Sequence, residues 1–129
     1  MIHRIYCRQH DLFGEQRANS FAMVNLKRIR EQIARGFYSV SDHAIIEAQK
    51  DGIAPDTVEK LQTVAIKGKL IEDDPNRQRC LLFYTFPEHQ IPCHLVIDYS
   101  YEEEPAIITA YVPDSRFWIK SQKRKKKKR

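Results

Sequence analysis

Apolar positions along this chain recur first at helical and then at strand spacing. Met23, Leu26, Ile29 and Ile33 return every three or four residues and Gly36 follows, which predicts a helix that stops at that glycine. Phe37–Val40 is a short β-prone run. Ser41 then precedes Asp42–Asp51, which Gly52 closes. A serine hydroxyl can accept from a free first-turn N–H and an aspartate suits the positive end of the dipole, so a second helix with Ser41 as N-cap is expected. A third is expected with Pro55 at its first position, running through Val58, Leu61 and Ala65 to Gly68.

After Gly68 the period drops to two. Lys69–Glu72, Arg79–Phe86, Ile91–Tyr99 and Ala106–Val112 read as strands, separated by the turn chemistry of Asp73–Asn76, Pro87–Gln90 and Tyr101–Pro105. Links this short favour antiparallel neighbours, because a parallel pair needs a crossover of about a dozen residues or more. The expected fold class is therefore α+β, with N-terminal helices packed on a four-stranded antiparallel meander. Alternation puts Cys93, Leu95 and Ile97 on one face of their strand and His94, Val96 and Asp98 on the other. Leu81 or Phe83, Leu95 or Ile97, and Ile108 are expected where sheet meets helices, and Trp118 is expected to plug the end of the sheet.

Length and charge divide the chain. At 129 residues one domain is expected, spanning 23–119. Residues 1–22 show no clean period and read as a loosely packed N-terminal extension; a frame opening at Met23 would itself look complete. The net charge is +5, yet eight of the 22 lysines and arginines crowd into 120–129 without a single acid. The remainder holds 14 basic against 17 acidic side chains, so the body is mildly acidic and the tail makes the protein basic. A segment of this composition has nothing apolar to bury, and 120–129 reads as a disordered polybasic tail. No apolar run is long enough to span a bilayer and no signal-peptide core follows Met1, so a cytoplasmic protein without membrane attachment is expected.

Cys7, Cys80 and Cys93 are odd in number and form no C-x-x-C pair, which argues against a disulfide framework and a structural zinc site. Cys93 and His94 are adjacent in a strand and point to opposite faces, so a metal held with His89 is not expected either. A Gly-rich phosphate loop, a nucleophile elbow and a carboxylate metal cluster are all lacking, and no cofactor is expected.

Ser41-Asp42-His43-Ala44, Gly52-Ile53, Gly68-Lys69-Leu70-Ile71-Glu72, Ile91-Pro92-Cys93-His94 and the run Ile108 to Trp118 (ITAYVPDSRFW) occur in that order over about residues 23–119. This ordered set resembles the domain of unknown function 4258 family of small bacterial proteins. That family is in turn similar to the RelE-like and BrnT-like toxin fold. The resemblance implies a RelE-like helix-then-sheet architecture and a toxin-like RNA-acting protein. Relatives in that fold are metal-independent endoribonucleases of toxin–antitoxin pairs, silenced by an antitoxin encoded beside them. In the toxin-like branch arginine recurs on the helix after His-Ala, whereas Glu47, Lys50 and Asp51 stand there in this chain. That departure favours the alternative, a catalytically silent protein- or RNA-binding module of the same fold.

Metal-free cleavage of RNA needs a base for the ribose 2′-OH, an acid for the leaving oxygen and cations for the phosphorane. Histidine titrates nearest neutrality and arginine presents a fixed, phosphate-matching fork. The candidate catalytic residues are accordingly His43, Tyr111, Arg79 and His94, with His43 expected to face a shallow groove and meet Tyr111 and one of Arg77 or Arg79. The plainer alternatives are a helix-capping His43, a buried His94 hydrogen-bonded across the sheet, solvated arginines and a Tyr111 in ordinary sheet packing. Nucleic-acid contacts are expected from Arg77 and from Lys123, Arg124, Lys125, Lys126, Lys127, Lys128 and Arg129 of the tail, which would bind phosphates without reading sequence.

Overall fold

The computed structural model describes residues 23–126; the expected extension 1–22 and the last three residues, Lys127, Lys128 and Arg129, lie outside the described residues. Helix α1 spans Leu26–Ala34, with the Asn25 side chain accepting from the Arg28 N–H at 3.2 Å and Ile29 and Ile33 turned inward. Helix α2 spans Asp42–Lys50. Its first turn is capped by Ser41, whose Oγ accepts from the Ala44 N–H at 3.0 Å, and Ala44, Ile45 and Ala48 form its buried stripe. The chain leaves α2 through Gly52 at φ +91, a left-handed conformation that side chains with a Cβ resist.

Helix α3 covers Thr57–Lys67 and starts two residues later than the expected Pro55 position. Asp56 lies between, left-handed at φ 57, so the helical path begins only at Thr57. Leu61, Val64 and Ala65 are its buried face.

Strands β2 (Lys69–Asp74), β3 (Arg79–Phe86), β4 (Ile91–Asp98) and β5 (Ala106–Tyr111) form the antiparallel succession that the short links require. The sheet nevertheless has five strands and is mixed. Ser39–Val40, β1, lies parallel to β5 and gives the order β1-β5-β4-β3-β2. The reason is the free edge of β5: Ser39 N–H donates to the Pro105 carbonyl at 3.1 Å and Ser41 N–H to that of Ile107 at 2.9 Å, pairing backbone groups that an edge would leave open.

Helices α1, α2 and α3 contribute to one core against one face of the sheet. Cys80 and Leu82 of β3, Cys93, Leu95 and Ile97 of β4, and Ile107 and Ala110 of β5 meet them there. Leu95 and Ile97 occupy the expected places. On β3 the helix-facing residues are Cys80 and Leu82, while Leu81 and Phe83 lie opposite Val96 and His94 on the other face. Ile108 also misses the core. A bulge in β5 lets Val96 pair with Thr109 but Ile97 with Ile107, so Ile108 is the extra residue and Ile107 fills the core position. Burial pushes both core thiols, Cys80 and Cys93, up to about 12.

The second sheet is a small hairpin, β6 (Trp118–Ile119) and β7 (Lys123–Arg124), turned by Lys120 and Ser121 at φ 51 and 64. It folds onto the face of the large sheet opposite the helices. The segment read as a free tail from residue 120 therefore begins as the turn and second strand of an attached pair. Among the described residues, no helix is long and apolar enough to cross a membrane.

Candidate functional site

The face of the sheet away from the helices carries Phe83 opposite His94 and His94 opposite Tyr111. Cross-strand partners share a face and stand close enough for direct contact. His94 is 0% exposed, and both of its ring nitrogens are engaged. Nε2 lies 2.6 Å from the Ser121 carbonyl oxygen and Nδ1 lies 3.2 Å from the Tyr111 hydroxyl. A carbonyl can only accept, so Nε2 carries the hydrogen, Nδ1 presents its lone pair, and the Tyr111 O–H donates to it. Burial lowers the pKa of His94, partly offset by the bond to Ser121 and by Glu72, and holds the ring neutral. Burial likewise raises the phenol of Tyr111. Trp118 closes over His94, its ring 4.4 Å from that of the histidine and edge-on to it.

Beside Tyr111 a cleft of about 470 Å³ opens along the sheet. Leu81, Val96 and Ile108 contribute its apolar lining, Thr109 a hydroxyl, and Arg77, Arg79 and Arg124 its cations. Each arginine has a carboxylate partner. Arg79 Nε is 3.4 Å from Asp98, and Arg77 Nε is 3.7 Å from Asp74. Arg124 makes a two-pronged contact with Glu72, Nε at 2.7 Å and Nη2 at 3.1 Å, and its guanidinium also lies 4.7 Å from the centre of the Trp118 ring. The pairing with Glu72 raises the pKa of Arg124 further.

The structure thus brings His94 and Tyr111 into one hydrogen-bonded unit and sets Arg77, Arg79 and Arg124 around the adjoining cleft. It does not bring His43 to them. That side chain is 69% exposed on the first turn of α2, Nε2 3.4 Å from Glu47 of the same helix, and it does not line the cleft. The physical reason is the side of the sheet on which the helix packs: α2 leans on the core face of β5, whereas Tyr111 projects from the opposite face. Of the expected tail contacts, Lys123 and Arg124 lie in β7, Lys125 and Lys126 are exposed beyond it, and Lys127, Lys128 and Arg129 lie outside the described residues. Glu72, Ser121 and Trp118 are site residues that sequence reasoning did not assign. Alternation in β2 would not have found Glu72, because it sets Glu72 with Leu70 on the core face; the bulge between them is what places Glu72 opposite Leu81. Among the described residues, no three histidine, cysteine or carboxylate side chains converge as a metal site would require.

The profile of a family described as a domain of unknown function (DUF4258) matches residues 40–112. No curated protein and no solved structure matches the chain. The matched segment runs from β1 to just past Tyr111 and includes His43, Arg77, Arg79 and His94, whereas the hairpin with Trp118, Ser121 and Arg124 follows it.

Proposed function

The chain belongs to the family of the domain of unknown function (DUF4258), and from that premise we propose that it is a toxin-like, RNA-acting protein, a metal-independent endoribonuclease working in the cleft beside Tyr111. The observation that carries this reading is the Tyr111 hydroxyl, hydrogen-bonded to the lone pair of a buried, neutral His94 at the mouth of an arginine-bearing cleft. A phenol in that position can act as a base without becoming a free phenolate. As it takes the proton of a ribose 2′-OH, it hands its own to Nδ1 of His94. The 2′-oxygen attacks the neighbouring phosphorus, the P–O2′ bond forms, the P–O5′ bond breaks, and the departing 5′-oxygen takes a proton from water in the open cleft; the hydroxide so formed is neutralised as Nδ1 of His94 returns its proton through the Tyr111 hydroxyl, which restores the starting state. The charge on the phosphorane is matched by arginine forks, which exchange their carboxylates for phosphate oxygens. The similarity of that family to the RelE-like and BrnT-like toxin fold supports the same reading and brings with it an antitoxin from a neighbouring gene as partner and the bacterial cytoplasm as setting.

A second reading, a catalytically silent binding module, is favoured by one observation: all three cleft arginines are already neutralised, by Asp74, Asp98 and Glu72. The two readings part in one experiment. End-labelled RNA incubated with the full chain in excess chelator should yield fragments ending in a 2′,3′-cyclic phosphate. Tyr111→Phe, which keeps the ring and deletes the hydroxyl, should abolish them. RNA bound but left intact would overturn the enzyme reading in favour of the binding module.

A further inference from the structure

The hairpin that covers His94 has two unlike faces. Trp118 and Arg124 are cross-strand partners on the inner side, against His94 and Glu72. Alternation places their neighbours on the outer side. Phe117 is 61% exposed and Ile119 46%, against 6% for Trp118. Lys123 stands directly opposite Ile119, and the Lys125 N–H donates to the Phe117 carbonyl at 2.8 Å, which sets Lys125 beside Phe117. The outer side is therefore a small ladder of one aromatic and one branched apolar side chain, each beside a lysine. Two residues along a strand span about 7 Å, so the two ammonium groups are separate, successive charges rather than one cluster. From Ser115 to the C-terminus the sequence has no acidic residue.

We propose that this outer face is a docking ladder for single-stranded RNA, Phe117 stacking on a base while Lys123 and Lys125 contact successive phosphates. The proposal deepens the reading of the cleft as an RNA site and rests on it. The inner side of the same hairpin carries Arg124 into the cleft lining, so the ladder lies on the outer side of an element that borders the cleft. Charge complementarity selects a polyanion, and the aromatic beside the lysines selects one with exposed ring faces, because stacking on an aromatic side chain needs an unpaired base. An anionic membrane fits the shape less well. The turn of the hairpin is Lys120-Ser121-Gln122, a polar end, so no apolar edge leads into a bilayer.

The test is binding of a short, fluorescently labelled 2′-O-methyl oligouridylate to the full chain, read by anisotropy; the methyl group blocks attack by the 2′-oxygen and separates binding from cleavage. Phe117→Ala should weaken binding about five-fold or more, and Phe117→Trp should restore it. Lys123→Gln with Lys125→Gln should lower the slope of log affinity against log salt by about 1.4, since each phosphate contact on a single strand contributes about 0.7. Emission from Trp118 reports whether the hairpin stays docked in Phe117→Ala and in the double lysine variant, where it is still the only tryptophan. Unchanged affinity and slope with Trp118 still docked would overturn the ladder. So would oligouridylate binding that ignores these residues while phosphatidylserine vesicles bind in a Phe117-dependent way. Cleavage of ordinary RNA decides the other reading separately: cleavage by a chain whose ladder residues do not matter overturns only the ladder, and ladder-dependent binding without cleavage overturns only the enzyme.

Discussion

Replacing His94 with phenylalanine isolates what the two imidazole nitrogens do. A six-membered ring can occupy the site and keep an edge contact with Trp118, now 4.4 Å away, but the bonds to Ser121 at 2.6 Å and to Tyr111 at 3.2 Å vanish. A buried polar group stripped of its partner costs about 1–3 kcal/mol. Ser121 and Tyr111 are each only half-buried residues, so their freed carbonyl and hydroxyl should regain some water, and the whole substitution should cost about 1–3 kcal/mol rather than twice that. The loss falls on the hairpin, because its other polar attachments are weak. The fork from Arg124 to Glu72 and the bond from Lys69 Nζ to the Gln122 side chain at 2.8 Å are both exposed, and exposed ion pairs contribute under about 1 kcal/mol. Strands of two residues add few bonds of their own, so beside the packing of Trp118 the two His94 bonds are the hairpin's main buried attachment. Trp118 is the only tryptophan in the chain and is 6% exposed, so release of the hairpin should shift its emission to the red while far-ultraviolet dichroism keeps the sheet and helices. The thermal midpoint should fall by roughly 4 °C for each kcal/mol lost. Unchanged emission and midpoint would refute the argument that His94 anchors the hairpin, and collapse of the entire dichroism signal would refute the claim that the loss is local.

Gly68→Ala reverses a familiar sign. At φ −68 an alanine is conformationally welcome and would ordinarily stabilise by about 0.4–1 kcal/mol. Here its Cβ would lie 2.5 Å from the Val64 carbonyl oxygen and 3.2 Å from Leu82 Cβ, so urea unfolding should instead show a loss of about 1–3 kcal/mol. Ile107→Ala should cost about 2–5 kcal/mol and Ile108→Ala less than half of that, because the bulge puts only the first in the core; equal losses would contradict the observed register. The depressed pKa of His94 means that the unfolded chain takes up its proton first. Its contribution to stability is therefore whole above the unfolded value of about 6.5 and is lost as pH falls through the lower folded value, and melts taken downward from about pH 8 should show a slope that His94→Gln flattens.

The helices and four long strands were legible because each carries many residues of one period. What the sequence hid depends on one or two residues at a time. β1 is a two-residue strand, and nothing in Ser39–Val40 announces that it runs parallel to a strand more than sixty residues away; the unpaired edge of β5 decides that. The bulge at Ile108 leaves no glycine or proline as a marker, so alternation counted through it assigns the wrong isoleucine to the core. The hairpin was hidden by its own composition. Its turn uses Lys120 and Ser121 in the left-handed region without an Asn-Gly signal, and its lysines read as a solvated tail. For the site, alternation set His94 and Tyr111 on exposed-side faces of their strands, but only the register of β4 against β5 makes them partners. His43 was drawn toward them by residue type and by its place in the Ser41-Asp42-His43-Ala44 motif, and the side on which α2 packs keeps it away.

Cys80 and Cys93 make the core its own chemical clock. Alkylating reagents attack thiolates, and two buried thiols held near 12 offer none while the domain stays closed. Each can react only during an opening, so its labelling rate measures the free energy of whichever opening reaches it. The two do not sit at equal depth across the sheet. Cys80 lies on β3 beside the edge strand, paired with Asp73 of β2, whereas Cys93 lies on β4, one strand further in, paired with Tyr84. A sheet that peels from β2 labels Cys80 ahead of Cys93; a domain that opens all at once labels both together.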